Sequence, residues 1–247
     1  VPRTIGARGN RFLLSRRHDS KISRDQMVSK AFSLSQVTHP KLRIEVGPHY
    51  PHKHMVDLGK IRDSFDGLTR DPLVRILGPH TRLVQQGVIN TGDHWSSYLH
   101  VSLFGQWCYE CRLRVGSIRD IGGDHFDLVN ITLELTSFLH AASSLLSTIS
   151  ANILVRASLE GIKKRSIIED PATAHDLPPT PRHWMDKHRA LEDTAEAEVH
   201  TLSETFKKDL GKNVVELIRQ LMWAFDWADE RVERKVLGIL KANRYMC

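Results

Sequence analysis
Three histidines fall within six residues, in the run His49-Tyr50-Pro51-His52-Lys53-His54. Imidazole nitrogens bind zinc or copper, and His52 and His54 can chelate from an extended segment. A metal held by His49, His52 and His54 would support a metal-dependent hydrolase, with Asp57 the carboxylate close by. A working metal centre also needs groups that fix its imidazoles, and nothing in this spacing supplies them. The competing reading is a solvated loop in a His-rich chain. Cys108 and Cys111 make a Cys-x-x-Cys. A redox pair of that kind belongs at a helix N-terminus, where the dipole lowers the thiol pKa. Here it lies in an alternating stretch, where residues three apart face opposite sides. No second pair completes a four-cysteine zinc site, so both read as small packed residues. Gly122-Gly123-Asp124 precedes a helical pattern, and backbone amides in such a place can hold phosphate. The phosphate-loop spacing is missing and Asp124 repels an anion, so a tight turn with an acidic cap is expected. Ser158 and Glu160 sit on no strained turn of the kind that exposes a nucleophile. The sequence therefore holds no complete catalytic or cofactor motif, and no cofactor is expected.

The elements around these residues are clearer. Tyr98, His100, Ser102 and Phe104 alternate with Leu99, Val101 and Leu103. After Gly105-Gln106 the alternation resumes from Trp107 through Tyr109, Cys111, Leu113 and Val115. Two alternating runs around a glycine break predict a hairpin. From Leu128 the period changes: Ile131, Leu135, Phe138, Ala142, Leu145 and Ile149 lie on one side of a helix over 127–150, capped by Asp124 or Asp127. Ile153 to Gly161 predicts the next strand. Leu42, Ile44 and Val46 predict an earlier one, Val74 to Leu77 another, and Arg82 to Val88 a further hairpin. The stretch 49–72 reads as loop and turn, and 170–182, with four prolines, as loop. The segment 184–200 reads as partly helical with a thin apolar stripe. Thr201 and Glu204 form a capping-box pair before a helix marked by Phe206, Leu210, Val214, Leu217, Leu221, Phe225 and Ala228. Trp223 and Trp227 share a face beside that stripe, either as core or as a dimerisation surface. A shorter helix carries Val232, Val236 and Leu240.

Length and charge bound the function. A chain of 247 residues with 40% hydrophobic residues holds one large or two modest globular domains. No run of eighteen apolar residues exists, so no membrane span is expected. No apolar signal-peptide core opens the chain, and with only three cysteines a reducing cytoplasm is expected. The net charge of +6 is concentrated. Residues 1–30 carry Arg3, Arg8, Arg11, Arg16, Arg17, Lys21, Arg24 and Lys30 against Asp19 and Asp25. Everything after them is electroneutral. A basic arm on a neutral body points to a polyanion, most often nucleic acid; the competing reading is a solvated arm. Phe12 is its one base-stacking aromatic before residue 30, so single-strand binding by stacking is not expected. Within the arm, Ser23 caps a short helix over 24–32 and a linker follows.

One resemblance emerges from the order of these signals. The strand pair from Ser97 to Val115, the strand Val155-Arg156-Ala157-Ser158-Leu159-Glu160-Gly161 after the long helix, and the late Met222-Trp223-Ala224-Phe225 helix resemble the region following the AlbA-like, Schlafen-type DNA-binding domain of bacterial proteins. The opening, Arg3 to Phe32, with Gly6, Gly9 and Ser23-Arg24-Asp25-Gln26-Met27, is similar to the closing strands and exit helix of that domain. The resemblance implies that the nucleic-acid domain itself lies before Val1, so no functional residue is carried over from it.

The expectation is an α+β protein: a basic arm over 1–40, then a domain over 41–247 with a mostly antiparallel sheet covered by a long amphipathic helix, and C-terminal helices. The expected function is a non-enzymatic accessory or assembly domain of a nucleic-acid-associated bacterial protein. Its phosphate contacts would come from Arg3, Arg8, Arg11, Arg16, Arg17, Lys21 and Arg24. The alternatives are the hydrolase of the His49–His54 loop and a homo-oligomerisation module built on the Trp-rich helix.

Overall fold
Alternation builds the sheet. Leu42, Ile44 and Val46 are buried on strand β1 (Lys41–Pro48), while Lys41, Arg43 and Glu45 between them are half-buried. The computed structural model describes residues 39–49, 56–84, 87–92, 97–118, 123–148, 152–168, 189–227 and 230–245. Those from His39 onward belong to one compact unit. Its elements in chain order are β1, α1 (Leu58–Leu68), β2 (His80–Val84), β3 (Gly87–Thr91), β4 (Ser97–Ser102), β5 (Trp107–Arg112), β6 (Gly116–Ile118), β7 (Gly123–Asp127), α2 (Leu128–Leu146), β8 (Asn152–Glu160), β9 (Ser166–Ile168), β10 (Thr194–Leu202), α3 (Ser203–Phe206), α4 (Leu210–Met222), a 3-10 turn (Trp223–Phe225) and α5 (Glu230–Ala242). The architecture is α+β, as expected.

Seven strands form one sheet in the order β10-β8-β1-β5-β4-β3-β2, each neighbour antiparallel. A second, small sheet runs β6-β7-β9, with β7 and β9 parallel. The two expected hairpins both form. Gly105, at φ +72°, supplies the left-handed residue of the β4–β5 turn, which Ser102 N–H to Gln106 O closes at 2.8 Å. Gly87 opens β3 because no side chain fits there: a Cβ would lie 1.9 Å from the Val101 carbonyl oxygen.

Helix α2 lies on the face of the sheet that carries Trp107 and Tyr109. Phe138 meets Trp107 edge-on at 6.3 Å and stacks on Tyr109 at 5.7 Å. Ile131, Leu135, Phe138, Ala142 and Leu145 are all buried, and each large apolar side chain so buried contributes about 1.5–3 kcal/mol. Asp127 is the cap, its Oδ1 accepting Val129 N–H at 2.8 Å. Gly123 and Asp124 instead belong to β7. The helix ends at Leu146, short of the expected 150, with Ser147 as its C-cap.

Several local expectations are corrected. Residues 58–68 are helix, not loop: Asp57 Oδ1 accepts Lys60 N–H at 2.7 Å, and Ile61, Phe65 and Leu68 face the core. Val74 to Leu77 form no strand. β5 ends at Arg112, short of the expected Val115: Leu113 N–H still donates to Pro40 O at 2.9 Å, but Pro40 has no N–H to return the bond. Residues 194–202 are a strand, not helix. There Ala195, Ala197 and Val199 stand opposite Leu159, Ala157 and Val155, small enough to let α4 pack close. Thr201 lies in that strand, and α3 starts at Ser203 without a side-chain cap, so the capping box does not form. The expected single helix over 206–228 is broken at 207–209 and again at Asp226, a left-handed residue at φ +52°. That second break separates the two tryptophans: Trp227 is buried, while Trp223 is 65% exposed. Among the described residues, no helix is long and apolar enough to cross a membrane.

Candidate functional site
The face of the sheet turned away from α2 collects charge. Antiparallel register sets Lys41 opposite Glu160, Arg43 opposite Glu110, and Arg156 opposite Glu198. Each juxtaposition is an ion pair: Lys41 Nζ to Glu160 Oε2 at 2.9 Å, Arg43 Nε to Glu110 Oε1 at 3.6 Å, and Arg156 Nε to Glu198 Oε2 at 2.6 Å. Arg43 also holds Glu45 at 2.6 Å, and His200 Nε2 lies 2.9 Å from the second Glu198 oxygen. The Arg156 hydrogen bond holds the Glu198 carboxyl below the usual carboxylate range against a smaller desolvation effect, with His200 adding to it. Glu110 is only 2% exposed, which makes Arg43 more than a surface partner. The face is therefore a ladder of opposite charges that answer one another across β5, β1, β8 and β10.

A second polar group lies under α2. Tyr109 donates its hydroxyl hydrogen to Glu134 Oε2 at 2.7 Å. Burial pushes the Glu134 carboxyl above its usual range, while the Tyr109 hydrogen bond and the charges of Arg114 and Arg75 pull the other way. Burial likewise raises Tyr109 and the neighbouring Cys111 thiol. One turn further along α2, Ser137 Oγ accepts Arg75 N–H at 2.7 Å. His140 Nε2 lies 2.9 Å from Asp71 Oδ2, and the other Asp71 oxygen accepts Leu73 N–H at 2.9 Å. Burial raises the Asp71 pKa, but the Leu73 amide and His140 outweigh it and the carboxyl sits low. Tyr245 donates to Leu73 O at 2.6 Å, and Arg75 Nη2 to Asn243 Oδ1 at 3.4 Å.

Chemically, an Asp–His pair can orient an imidazole for proton transfer. Ser137, one helical turn before His140, cannot serve as its nucleophile: it is fully buried and its oxygen already accepts the Arg75 amide. The group ties the 69–77 segment, α2 and the end of α5 together. The sequence reading missed Glu134, Tyr109, Asp71 and His140 as a set. Glu134 had a local signal, since it lies three residues after Ile131 and four before Phe138, on the helix stripe that is otherwise apolar. Asp71 and His140 had none, because 69 residues separate them.

The expected site residues divide accordingly. Arg3, Arg8, Arg11, Arg16, Arg17, Lys21 and Arg24 lie outside the described residues, as do His52 and His54. His49 follows β1, its N–H donating to Asn152 O at 2.8 Å. Its ring lies 5.4 Å from that of His200 on β10, a neighbour 151 positions away that spacing could not reveal. Among the described residues, no three His, Cys, Asp or Glu side chains are grouped to hold a metal. Cys108 and Cys111 are both buried on β5, outside any disulfide, and point to opposite faces of the sheet. Against known proteins, no family model, no curated protein and no solved structure matches this chain.

Proposed function
We propose that the chain is a non-enzymatic, nucleic-acid-associated module of the reducing cytoplasm, the accessory domain of a bacterial DNA-binding protein. Its basic arm contacts the phosphate backbone and its α+β body is the rigid support. One observation carries the reading. The whole excess of positive charge lies in residues 1–30, eight basic groups against two acidic, while the remainder holds equal numbers of each. The ion-pair ladder of the sheet supports the same division, because the cations of β1 and β8 are committed to carboxylates. Phosphate contacts of this kind position a protein on the duplex with little reading of bases. The test compares the full chain with a chain lacking residues 1–30 on a labelled DNA duplex. Binding is expected for the first and absent for the second; undiminished binding by the truncated chain removes the basis of the reading.

A second reading, self-association, is favoured by the 65% exposure of Trp223 at the end of α4. Light scattering tests it. A dimer mass that reverts to monomer in Trp223→Ser supports it, and a native monomer at high concentration overturns it.

A further inference from the structure
The seven-stranded sheet has two edges, and they are finished differently. At the middle of β10 a side chain occupies the edge: Gln220 of α4 accepts Glu198 N–H at 2.9 Å and donates to Glu198 O at 3.2 Å, as a neighbouring strand would at that residue. At β2 no such contact exists among the described residues. His80, Thr81, Arg82 and Leu83 are all exposed in sequence, and Leu83 is 59% exposed. Val84 pairs with Gly87 across a two-residue connection. That register turns the N–H and C=O groups of Val84, Arg82 and His80 toward β3 and those of Thr81 and Leu83 outward. Among the described residues, none hydrogen-bonds to these outward groups. Unblocked edges of this kind are templates for strand addition.

Side chains indicate what would be added. β2, β3 and β4 contain no Asp or Glu, whereas they carry His80, Arg82 and His100. The carboxylates of the sheet stand on β1, β5, β8 and β10, at the opposite side. A second copy of the chain is a poor occupant, because full antiparallel overlap of β2 with itself sets Arg82 against Arg82, and like charges directly opposite are destabilising. An incoming strand places alternate residues on opposite faces. One face then meets His80 and Arg82, and the other meets Leu83.

We propose that the outer edge of β2 is the docking site for an extended segment of a partner protein that alternates carboxylate and apolar residues, added to the sheet through the backbone of Thr81 and Leu83. This rests on the sheet alone and not on the basic arm.

The probe is a capped, labelled peptide alternating glutamate and valine and long enough to span the five residues of β2, with a lysine–valine peptide as control. Saturable binding of the first in preference to the second is expected. Leu83→Pro removes one outward donor without touching the ladder to β3, since proline is tolerated on edge strands; it should weaken binding about tenfold or more. Arg82→Glu should reverse the preference between the two peptides. Far-ultraviolet circular dichroism reports whether each variant is folded. If Leu83→Pro is not, hydrogen exchange in the native chain decides instead, with slowed exchange of the Thr81 and Leu83 amides by the glutamate peptide as the expected result. The proposal is overturned by any of three results: no saturable binding of the glutamate peptide, a dimer mass that Leu83→Pro abolishes, or protection of the two amides by duplex DNA and not by peptide.

Discussion

Glu134 is a carboxylate set in the apolar stripe of α2, and its environment dictates opposite outcomes for two nearby substitutions. Its folded pKa lies above the ordinary value of 4.5 because burial disfavours the charge. For a group raised in this way, the stabilising contribution is fully present below 4.5 and is lost as pH rises through the folded value. At neutral pH the ionised carboxylate therefore weighs against the fold. Glu134→Gln keeps an oxygen for the Tyr109 hydroxyl and removes the charge. It should raise stability at pH 7 by up to about 1 kcal/mol, and the advantage should shrink as the pH falls toward 4.5. Tyr109→Phe does the reverse: it takes the hydrogen-bond donor from the charged form and should cost about 1–3 kcal/mol at pH 7, less in acid. Urea denaturation of both variants across pH checks the pair. An equal effect at every pH would show that Glu134 does not titrate in the native protein under these conditions.

At the scale of elements, the edge strand β10 depends on a side chain from another element. Gln220 serves both the N–H and the C=O of Glu198, and its amide also reaches Glu216 Oε1 at 2.9 Å. Gln220→Ala should destabilise the protein by about 1–2 kcal/mol and expose an edge able to pair with other chains. Thermal unfolding and light scattering measure the two effects separately. A variant with unchanged unfolding and no added aggregation would remove Gln220 from this role. The same strand shows where sequence reading loses its grip. β1, β4, β5, α2 and β8 were legible because branched and aromatic residues mark their period over a full element. β10 was not, because Ala195 and Ala197 carry little apolar signal and the surrounding glutamates resemble a helical surface. α1 had a readable stripe in Ile61, Phe65 and Leu68, but only one cap residue and two glycines, Gly59 and Gly67, argued against it. The polar groups were harder still. The Arg43–Glu110 and Arg156–Glu198 pairs exist only once it is known which strands lie side by side; alternation sets the face each residue takes but not that β1 pairs with β5 or β8 with β10.

For the whole molecule, charge distribution sets the strongest quantitative expectation. A protein that neutralises several phosphates releases the counterions condensed on DNA, so affinity falls with salt at a slope near −0.9 per phosphate contact. The arm holds eight basic groups, offset locally by Asp19 and Asp25. If about six contacts form, binding to a duplex should weaken by roughly a thousandfold between about 50 and 200 mM salt. Arg16→Ala with Arg17→Ala should then flatten the slope by about two contacts, without changing the relative affinities for unrelated duplex sequences. The body predicts its own control. With 27 basic and 27 acidic residues after position 30, and its sheet cations in ion pairs, residues 39–247 alone should show no steep salt dependence. Fluorescence anisotropy on two unrelated duplexes at several salt concentrations measures all of this at once. A flat slope for the full chain would move the positive arm from phosphate contact to simple solvation. A slope that survives the double arginine substitution would place the contacts elsewhere in the chain.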